Sequence, residues 1–244
     1  DEQDGSYIKL IDVGRQVIVN RLEGYLPSRL ISFLVNLHNV PRPVWLTRHG
    51  QTIYNVQERI GGDSPLSPDG EQYARSLNTF YEQQIEPLGD VAIWTSTLQR
   101  TLQTAATLGR PHTPWRALNE IDAGECDALT YAEIKTRFPR EWEARTADKF
   151  SYRYPRGESY IDVIQRVETV TIEIERQRHP VLVIGHQAVL RAFYGYLMGI
   201  EPRQIPHLHV PLHTVIELQP KAYGYEERRH CLPPAVSPHS GSSS

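Results

Sequence analysis

Arg48, His49 and Gly50 follow the apolar run Val44-Trp45-Leu46, and they are well equipped for group transfer. A run of that kind reads as a buried strand, and open α/β sheets place their ligands at strand ends. Arg48 offers a planar, permanently charged fork for phosphate oxygens, and His49 a ring nitrogen that can attack. Like-charge repulsion from arginine disfavours the imidazolium, so His49 is expected to be neutral and nucleophilic at pH 7. Gly50 removes a side chain, so the backbone can turn sharply and a ligand can come close. Taken alone, a three-residue motif also fits a plain strand end with a surface Arg-His pair.

Two more apolar runs end in similar groups. Val181–Gly185 ends in His186, and Val91–Thr95 leads through Ser96 to Arg100 within one helical turn. If these strands are neighbours, their carboxyl ends gather two histidines and two arginines in one crevice, a set that favours a phosphate anion. A metal ion is the competing ligand. Arg48 would repel it, and no carboxylate or thiolate has suitable spacing, so neither metal nor other cofactor is expected. Asn55, six residues beyond His49, can add a neutral donor to the same oxygens. Phosphoryl transfer to His49 also needs an acid to protonate the leaving alcohol. Glu120, Asp122 and Glu125 share one loop, and composition alone does not rank them.

The elements that must position these groups alternate strand and helix from Val44 onward. Ser67-Pro68 starts a helix that ends near Glu86-Pro87, and Ser96 can cap another over Thr97–Leu108. Thr130-Tyr-Ala-Glu133 is a capping box for a helix stopping near Phe138-Pro139. Ser159–Arg178 is the longest expected helix, with Ile161, Ile164, Val167 and Ile174 on one face. Ala188–Gly199 is expected to be helical, with late strands at His213–Leu218 and Tyr223–Arg228. This order predicts an α/β fold with a mostly parallel central sheet and helices on both faces. Before it lie two short β-like runs, Tyr7–Asp12 and Gln16–Asn20. A helix follows over Pro27–Leu37, carrying Leu30, Phe33, Leu34 and Leu37 at apolar spacing. That unit is too small for a core of its own, and Asn39–Pro43 reads as a stiff connector. Residues 1–6 and the tail, 232–244, are polar or Pro/Ser-rich and are expected to be disordered.

Bulk properties narrow the field. A chain of 244 residues suits one large domain, or one with an appendage. The formal charge of −3, from 26 basic and 29 acidic residues, includes no basic tract, so neither nucleic acid nor a membrane surface is an expected partner. Two cysteines, Cys126 and Cys231, without a CxxC spacing point to a reducing compartment. No apolar run approaches the ~18 residues of a membrane span, and no signal peptide is visible. A cytoplasmic protein is the expectation.

Arg48-His49-Gly50 with Asn55, Arg100 in Ser96-Thr-Leu-Gln-Arg-Thr, Glu120 and Gly185-His186 resemble the histidine phosphatase superfamily, which includes the phosphoglycerate mutases. One branch resembles the chain more closely. Arg59-Ile-Gly-Gly-Asp-Ser64, Ala117–Gly124, Tyr152–Tyr160, His186-Gln-Ala-Val-Leu-Arg191 and Pro211-Leu-His-Thr214 look like fructose-2,6-bisphosphatase domains of the 6-phosphofructo-2-kinase/fructose-2,6-bisphosphatase family. Val19–Tyr25 and Phe33–His38 resemble the final segment of the kinase domain in that family, while no GxxxxGK[ST] phosphate loop is present. The expected organisation is therefore a kinase remnant over 1–40 and a phosphatase domain over 44–230, excised from a longer chain that holds the kinase domain.

The resemblance implies that His49 attacks the 2-phosphate of fructose 2,6-bisphosphate, releasing fructose 6-phosphate and later inorganic phosphate. It makes Glu120 the proton donor, and gives Arg48, Arg100, Asn55 and His186 the transferring phosphoryl group to hold. It assigns Gly62, Tyr131, Arg145, Lys149, Tyr160, Gln187 and Arg191 to the substrate, with Arg145, Lys149 and Arg191 suiting a second phosphate. The chain departs from the pattern at Gln51-Thr52, where the family often has Glu-Ser, and at Gly185, where some members have cysteine. Alternatives are a related phosphatase or mutase acting on another ester, or a catalytically weak module that binds sugar phosphate. The exposed surface expected on residues 1–40 also makes a homodimer an expectation to test.

Overall fold

The computed structural model describes residues 6–11, 16–25, 27, 28, 30, 31, 42–221 and 224–232. Its main sheet has six strands in the order β5-β4-β6-β3-β7-β8. These are β3 (Val44–Arg48), β4 (Ala92–Thr95), β5 (Thr113–Pro114), β6 (Val181–Gly185), β7 (Thr214–Pro220) and β8 (Tyr225–Cys231). Strands β5, β4, β6 and β3 run parallel, while β7 and β8 add an antiparallel edge. A separate antiparallel hairpin joins β1 (Tyr7–Ile11) to β2 (Gln16–Asn20).

The central strands are largely apolar because both of their faces are covered. Every residue of β6 is buried, and alternate residues serve opposite layers. Val181 and Val183 pack with Val44, Leu46 and helices α6 (Tyr160–Arg176) and α7 (Gln187–Leu197). Leu182 and Ile184 face α2 (Pro68–Phe80) and α3 (Gln99–Ala106) across Trp45 and Ile93. A smaller apolar cluster around Cys126, Ile134 and Tyr154 lies beneath α4 (Tyr131–Arg137) and α5 (Pro139–Ala147).

Local sequence signals explain most boundaries, beginning with the short α1 (Ile53–Val56), which Thr52 and Asn55 open with a capping box. Ser67 caps α2 by accepting from Gly70 N–H, with Pro68 at the first position. The helical path continues through a π turn, Tyr81–Ile85, and a 3-10 turn to Leu88, close to the expected end. Thr130 and Ser159 form capping boxes with Glu133 and Asp162, which open α4 and α6.

Three expectations need correction, and the stop near Phe138-Pro139 holds with an addition. Ser96 does not cap a helix over 97–108, because α3 starts at Gln99 with Leu98 as its cap position, and Ser96 Oγ accepts only Leu98 N–H before the helix while meeting His186 Nε2. Ile161 is exposed on α6, whose buried stripe is Val163, Val167, Val170 and Ile174. Helix α5 follows Phe138-Pro139 directly, so that proline starts a helix as well as ending one. The late strands begin at Thr214 and Tyr225, with His213 in a left-handed turn before the first. At the N-terminus, residues 27, 28, 30 and 31 are helical as expected. The rest of that stripe (Phe33, Leu34 and Leu37) and most of the expected connector and tails lie outside the described residues. Among the described residues, no helix is long and apolar enough to cross a membrane.

Candidate active site

Strand register assembles the site. Arg48 on β3 pairs with Gly185 on β6, and Thr95 on β4 pairs with Ile184. The next residues along the three strands are His49, His186 and Ser96, so all three emerge side by side at the carboxyl end of the sheet. His49 N–H donates to Gly185 O at 3.0 Å, and the two imidazole centroids lie 5.1 Å apart. Glu120 arrives from the same end of β5, after a 3-10 turn at Arg116–Leu118.

His49 is buried, and its Nδ1 lies 2.7 Å from Gly50 O. A carbonyl can only accept, so Nδ1 carries the proton and Nε2 keeps its lone pair. Burial, then Arg100 and Arg48, hold the His49 pKa well below its ordinary value despite the bond to Gly50. The imidazole is therefore neutral at pH 7, the state a nucleophile needs.

Gly50 plays a different part from the one expected. A Cβ there would sit 2.4 Å from Gly70 O, and a Cβ on Gly70 would sit 2.0 Å from Gln51 O. The missing side chains let the first turn of α2 press against the Gly50–Gln51 backbone that follows His49. Gly50 N–H donates to Thr104 Oγ1 at 3.0 Å, tying the same segment to α3.

His186 lies behind His49 and is fully buried. Arg100 Nε donates to its Nδ1 at 3.2 Å, and its Nε2 lies 2.7 Å from Ser96 Oγ. Ser96 Oγ is in turn 2.8 Å from Thr101 Oγ1. Both nitrogens of His186 thus face protein groups, which fix the position of Arg100. The other end of Arg100 donates to Gly62 O at 2.6 Å.

Arg48 is the cation with spare donors. Its Nη1 makes one long bond to Val210 O, 3.4 Å, and its buried Nε has no partner among the described residues. Burial lowers its pKa to about 10, with Glu120 opposing that and Arg191 and Arg100 adding to it. It stays a cation at neutral pH, and an anion in the cavity would satisfy Nε. Asn55 Oδ1 accepts Thr52 N–H, so its Nδ2 donors remain for the cavity it lines. Glu120 Oε1 accepts N–H from Ile121 (2.9 Å) and from Ala188 in the first turn of α7 (3.2 Å). Oε2 accepts from no described residue. Of the three acids in this loop, Glu120 alone lines the cavity with His49. Asp122 is turned to Gly124 N–H, and Glu125 to Arg156.

The cavity measures about 520 Å³ and extends away from His49 to a second cationic group. Arg191 Nη1 donates to Tyr160 OH at 2.9 Å, Lys149 Nζ to Pro206 O at 2.9 Å, and Arg145 to the hydroxyls of Tyr154 and Tyr131. Burial, then Arg191 and Arg145, lower the Lys149 pKa to about 8. Gln187 lies on the same wall. Gly62 does not. It borders an adjoining cleft, its N–H is given to Asp127, and a left-handed φ of 62° lets it sit against the Tyr54 ring. Of the expected residues, Arg48, His49, Asn55, Arg100, Glu120, Tyr131, Arg145, Lys149, Tyr160, Gln187 and Arg191 therefore share one cavity, with His186 and Gly62 behind its wall. Sequence reasoning missed Tyr154 as the hydroxyl holding Arg145 and Ser96 as the partner of His186. It also missed the Arg166–Glu158 pair behind the Glu120 loop. No local spacing marks these contacts.

Comparison with known proteins adds an independent line. Residues 44–232 match the histidine phosphatase superfamily (branch 1), and residues 1–41 match 6-phosphofructo-2-kinase. A 6-phosphofructo-2-kinase/fructose-2,6-bisphosphatase from Arabidopsis thaliana is 53% identical over 235 residues, covering 94% of this chain and 32% of the relative. The human 6-phosphofructo-2-kinase/fructose-2,6-bisphosphatase 3 is 50% identical over 223 residues, covering 91% of this chain and 42% of the relative. The chain thus spans less than half the length of these relatives. Among solved structures, Bacillus stearothermophilus YhfR superposes with a TM-score of 0.65 at 29% identity, covering 76% of this chain and 94% of that one. A putative alpha-ribazole-5'-P phosphatase from Escherichia coli gives 0.70 at 22% identity over 80% of this chain and 97% of the other, a likeness of fold alone.

Proposed function

The chain belongs to the histidine phosphatase superfamily, branch 1, and from that membership we propose that it hydrolyses the 2-phosphate of fructose 2,6-bisphosphate. One observation carries the proposal: a single cavity holds two cationic groups. Arg48 and Arg100 stand beside the neutral His49, and Arg145, Lys149 and Arg191 line the same cavity. A substrate with two phosphates on one small scaffold fits that division, and the names of the half-identical relatives support the sugar.

In this reading His49 Nε2 attacks the 2-phosphorus as the bond from phosphorus to the sugar oxygen breaks. Glu120 gives that oxygen its proton, and fructose 6-phosphate leaves. Glu120, now a carboxylate, takes a proton from water as the water oxygen attacks the phosphohistidine. The P–N bond breaks, inorganic phosphate forms, and His49 is regenerated. Arg48, Arg100 and Asn55 bind the transferring oxygens, and His186 steadies that set by holding Arg100. Tyr131, Tyr160, Gln187 and the second cationic group bind the sugar and its 6-phosphate, while Gly62 acts through Arg100.

The same proposal divides the chain into a kinase remnant over 1–40, a phosphatase domain over 44–230 and a tail over 232–244, within a parent chain that carries a kinase domain. The kinase match over 1–41 supports the first of these. Val19, Tyr25 and Leu30 are exposed there, which supports a contact with the rest of the parent chain or with a second copy. Two free cysteines, Cys126 and Cys231, support a reducing, cytoplasmic setting, and a role in regulating glycolysis follows from the proposed substrate.

The test is release of phosphate and fructose 6-phosphate from fructose 2,6-bisphosphate with EDTA present, by the wild type and by His49→Ala. Release of both by the wild type, and a fall of about 10⁴-fold or more in the variant, is the expected result. Equal cleavage of fructose 1,6-bisphosphate or phosphoglycerates would overturn the substrate.

A further inference from the structure

Glu120 sits on a loop without regular structure, yet as a proton donor it must hold its place closely, since misplacement by about 1 Å can cost about 10²-fold in rate. The restraint comes from behind the loop. Arg166, on the second turn of α6, is largely enclosed and spends its donors on the loop's backbone. Its Nη1 donates to Ala117 O at 2.6 Å, and its Nη2 to Asn119 O at 2.7 Å and Glu120 O at 3.2 Å. Its remaining face meets Glu158 through Nε–Oε1 at 2.7 Å and Nη2–Oε2 at 3.0 Å.

Glu158 completes the grip. Its Oε2 accepts Asp122 N–H at 3.0 Å, and its own N–H donates to Asp122 O at 2.9 Å. The loop is therefore fastened before Glu120, at Glu120 and after it. With its main chain fixed, the Glu120 carboxylate settles on the amides of Ile121 and Ala188.

We propose that Arg166 and Glu158 form a positioning pair that sets the Glu120 carboxylate for proton transfer without touching the substrate. The inference rests on the functional reading above for the role of Glu120, but the geometry it asserts is testable alone. A lysine keeps the charge of Arg166 but lacks the fork that reaches three carbonyls and a carboxylate. Glu158→Gln keeps the shape and removes the charge that neutralises the guanidinium.

Two readouts on Arg166→Lys and Glu158→Gln decide the matter. In the first, amide hydrogen exchange at Ile121 and Ala188 is expected to quicken at least tenfold, while Val183 and Ile216 in the sheet keep their protection. Unchanged exchange at both amides overturns the proposal, whatever the substrate proves to be. In the second, kcat is compared for a sugar phosphate, whose alkoxide leaving group needs a proton, and for p-nitrophenyl phosphate, whose leaving group does not. The expected loss is about 10- to 100-fold on the former, with KM within about threefold, and little on the latter. An equal loss on both esters marks a general structural defect and also overturns it. A wild type inactive on fructose 2,6-bisphosphate would refute the functional reading and leave the exchange result to judge the pair. If Arg166→Lys fails to fold, Glu158→Gln carries the same measurements.

Discussion

Arg100 Nε donates to His186 Nδ1 at 3.2 Å, and that bond decides the tautomer of the second histidine. A guanidinium only donates, so Nδ1 must be the bare nitrogen and Nε2 must carry the proton. Nε2–H then donates to Ser96 Oγ, which has Thr101 Oγ1 on its far side. Thr101 Oγ1 has carbonyl acceptors at Leu98 and Ser96, so the proton order along the chain runs one way.

Ser96→Ala tests that chain. The substitution strands a buried N–H on His186, which costs about 1–3 kcal/mol of stability. Arg100 also loses its fixed partner, so turnover is expected to fall about tenfold or more. Ser96→Thr, which keeps the hydroxyl, should restore both. Urea denaturation and ¹⁵N chemical shifts of the His186 ring are the measurements, the latter reporting the lost hydrogen bond at Nε2 in the alanine variant.

Acid should destabilise this fold early. Burial, followed by Arg100 and by Arg48 or His49, depresses the pKa of both His49 and His186 well below the unfolded value near 6.5. Below that value the unfolded chain binds protons that the native state refuses, so stability falls with pH until the folded pKa values are reached. Each histidine contributes up to about 1.4 kcal/mol per pH unit in that window. His213, lowered chiefly by burial, acts in the same direction. Denaturation midpoints at pH 7.5, 6.0 and 5.0 are expected to drop in that order.

Two glycines beside the histidines should tolerate alanine to very different degrees. At Gly50 the new Cβ meets a backbone carbonyl, Gly70 O, at 2.4 Å, and neither segment can yield without moving α2. A loss of about 2–3 kcal/mol or more is expected. At Gly185 the Cβ meets only the Leu190 side chain, Cδ2 at 3.1 Å and Cγ at 3.2 Å, and a rotamer adjustment absorbs it for about 1 kcal/mol or less. Melting temperatures of the two variants give the comparison.

Lys149 should make substrate affinity fall as pH rises. With its pKa lowered to about 8 by burial, Arg191 and Arg145, it loses charge between pH 7 and 9. KM for fructose 2,6-bisphosphate is expected to rise several-fold across that range. In Lys149→Arg, whose charge persists, the rise should flatten. A KM that stays constant in the wild type would remove Lys149 from the 6-phosphate site.

What could be read from the sequence was whatever neighbouring residues encode. Val181–Gly185 is a buried strand because five consecutive residues face two apolar layers, and Thr130 and Ser159 announce their helices by capping boxes. The histidines at the ends of β3 and β6 were legible for the same reason. The Ser96–His186 contact was not, because it joins residues 90 positions apart through sheet register. Nor was the true use of Gly50. A glycine beside a candidate nucleophile invites a ligand-based reading, whereas here the visitor is the backbone of Gly70. Glu120 could not be separated from Asp122 and Glu125 until the fold turned those two toward Gly124 and Arg156.

The pairing of Arg48 with Gly185 and of Thr95 with Ile184 has one more consequence. Side chains on β6 alternate between two different apolar layers, so a slip of one residue would send Val183 toward α2 and Leu182 toward α6. The same slip would carry His186 out of line with His49 and Ser96. Misalignment therefore spoils the interior and the chemistry together. Folding acts as an inspection step: a molecule that has closed its interior correctly has, by that fact, aligned its histidines.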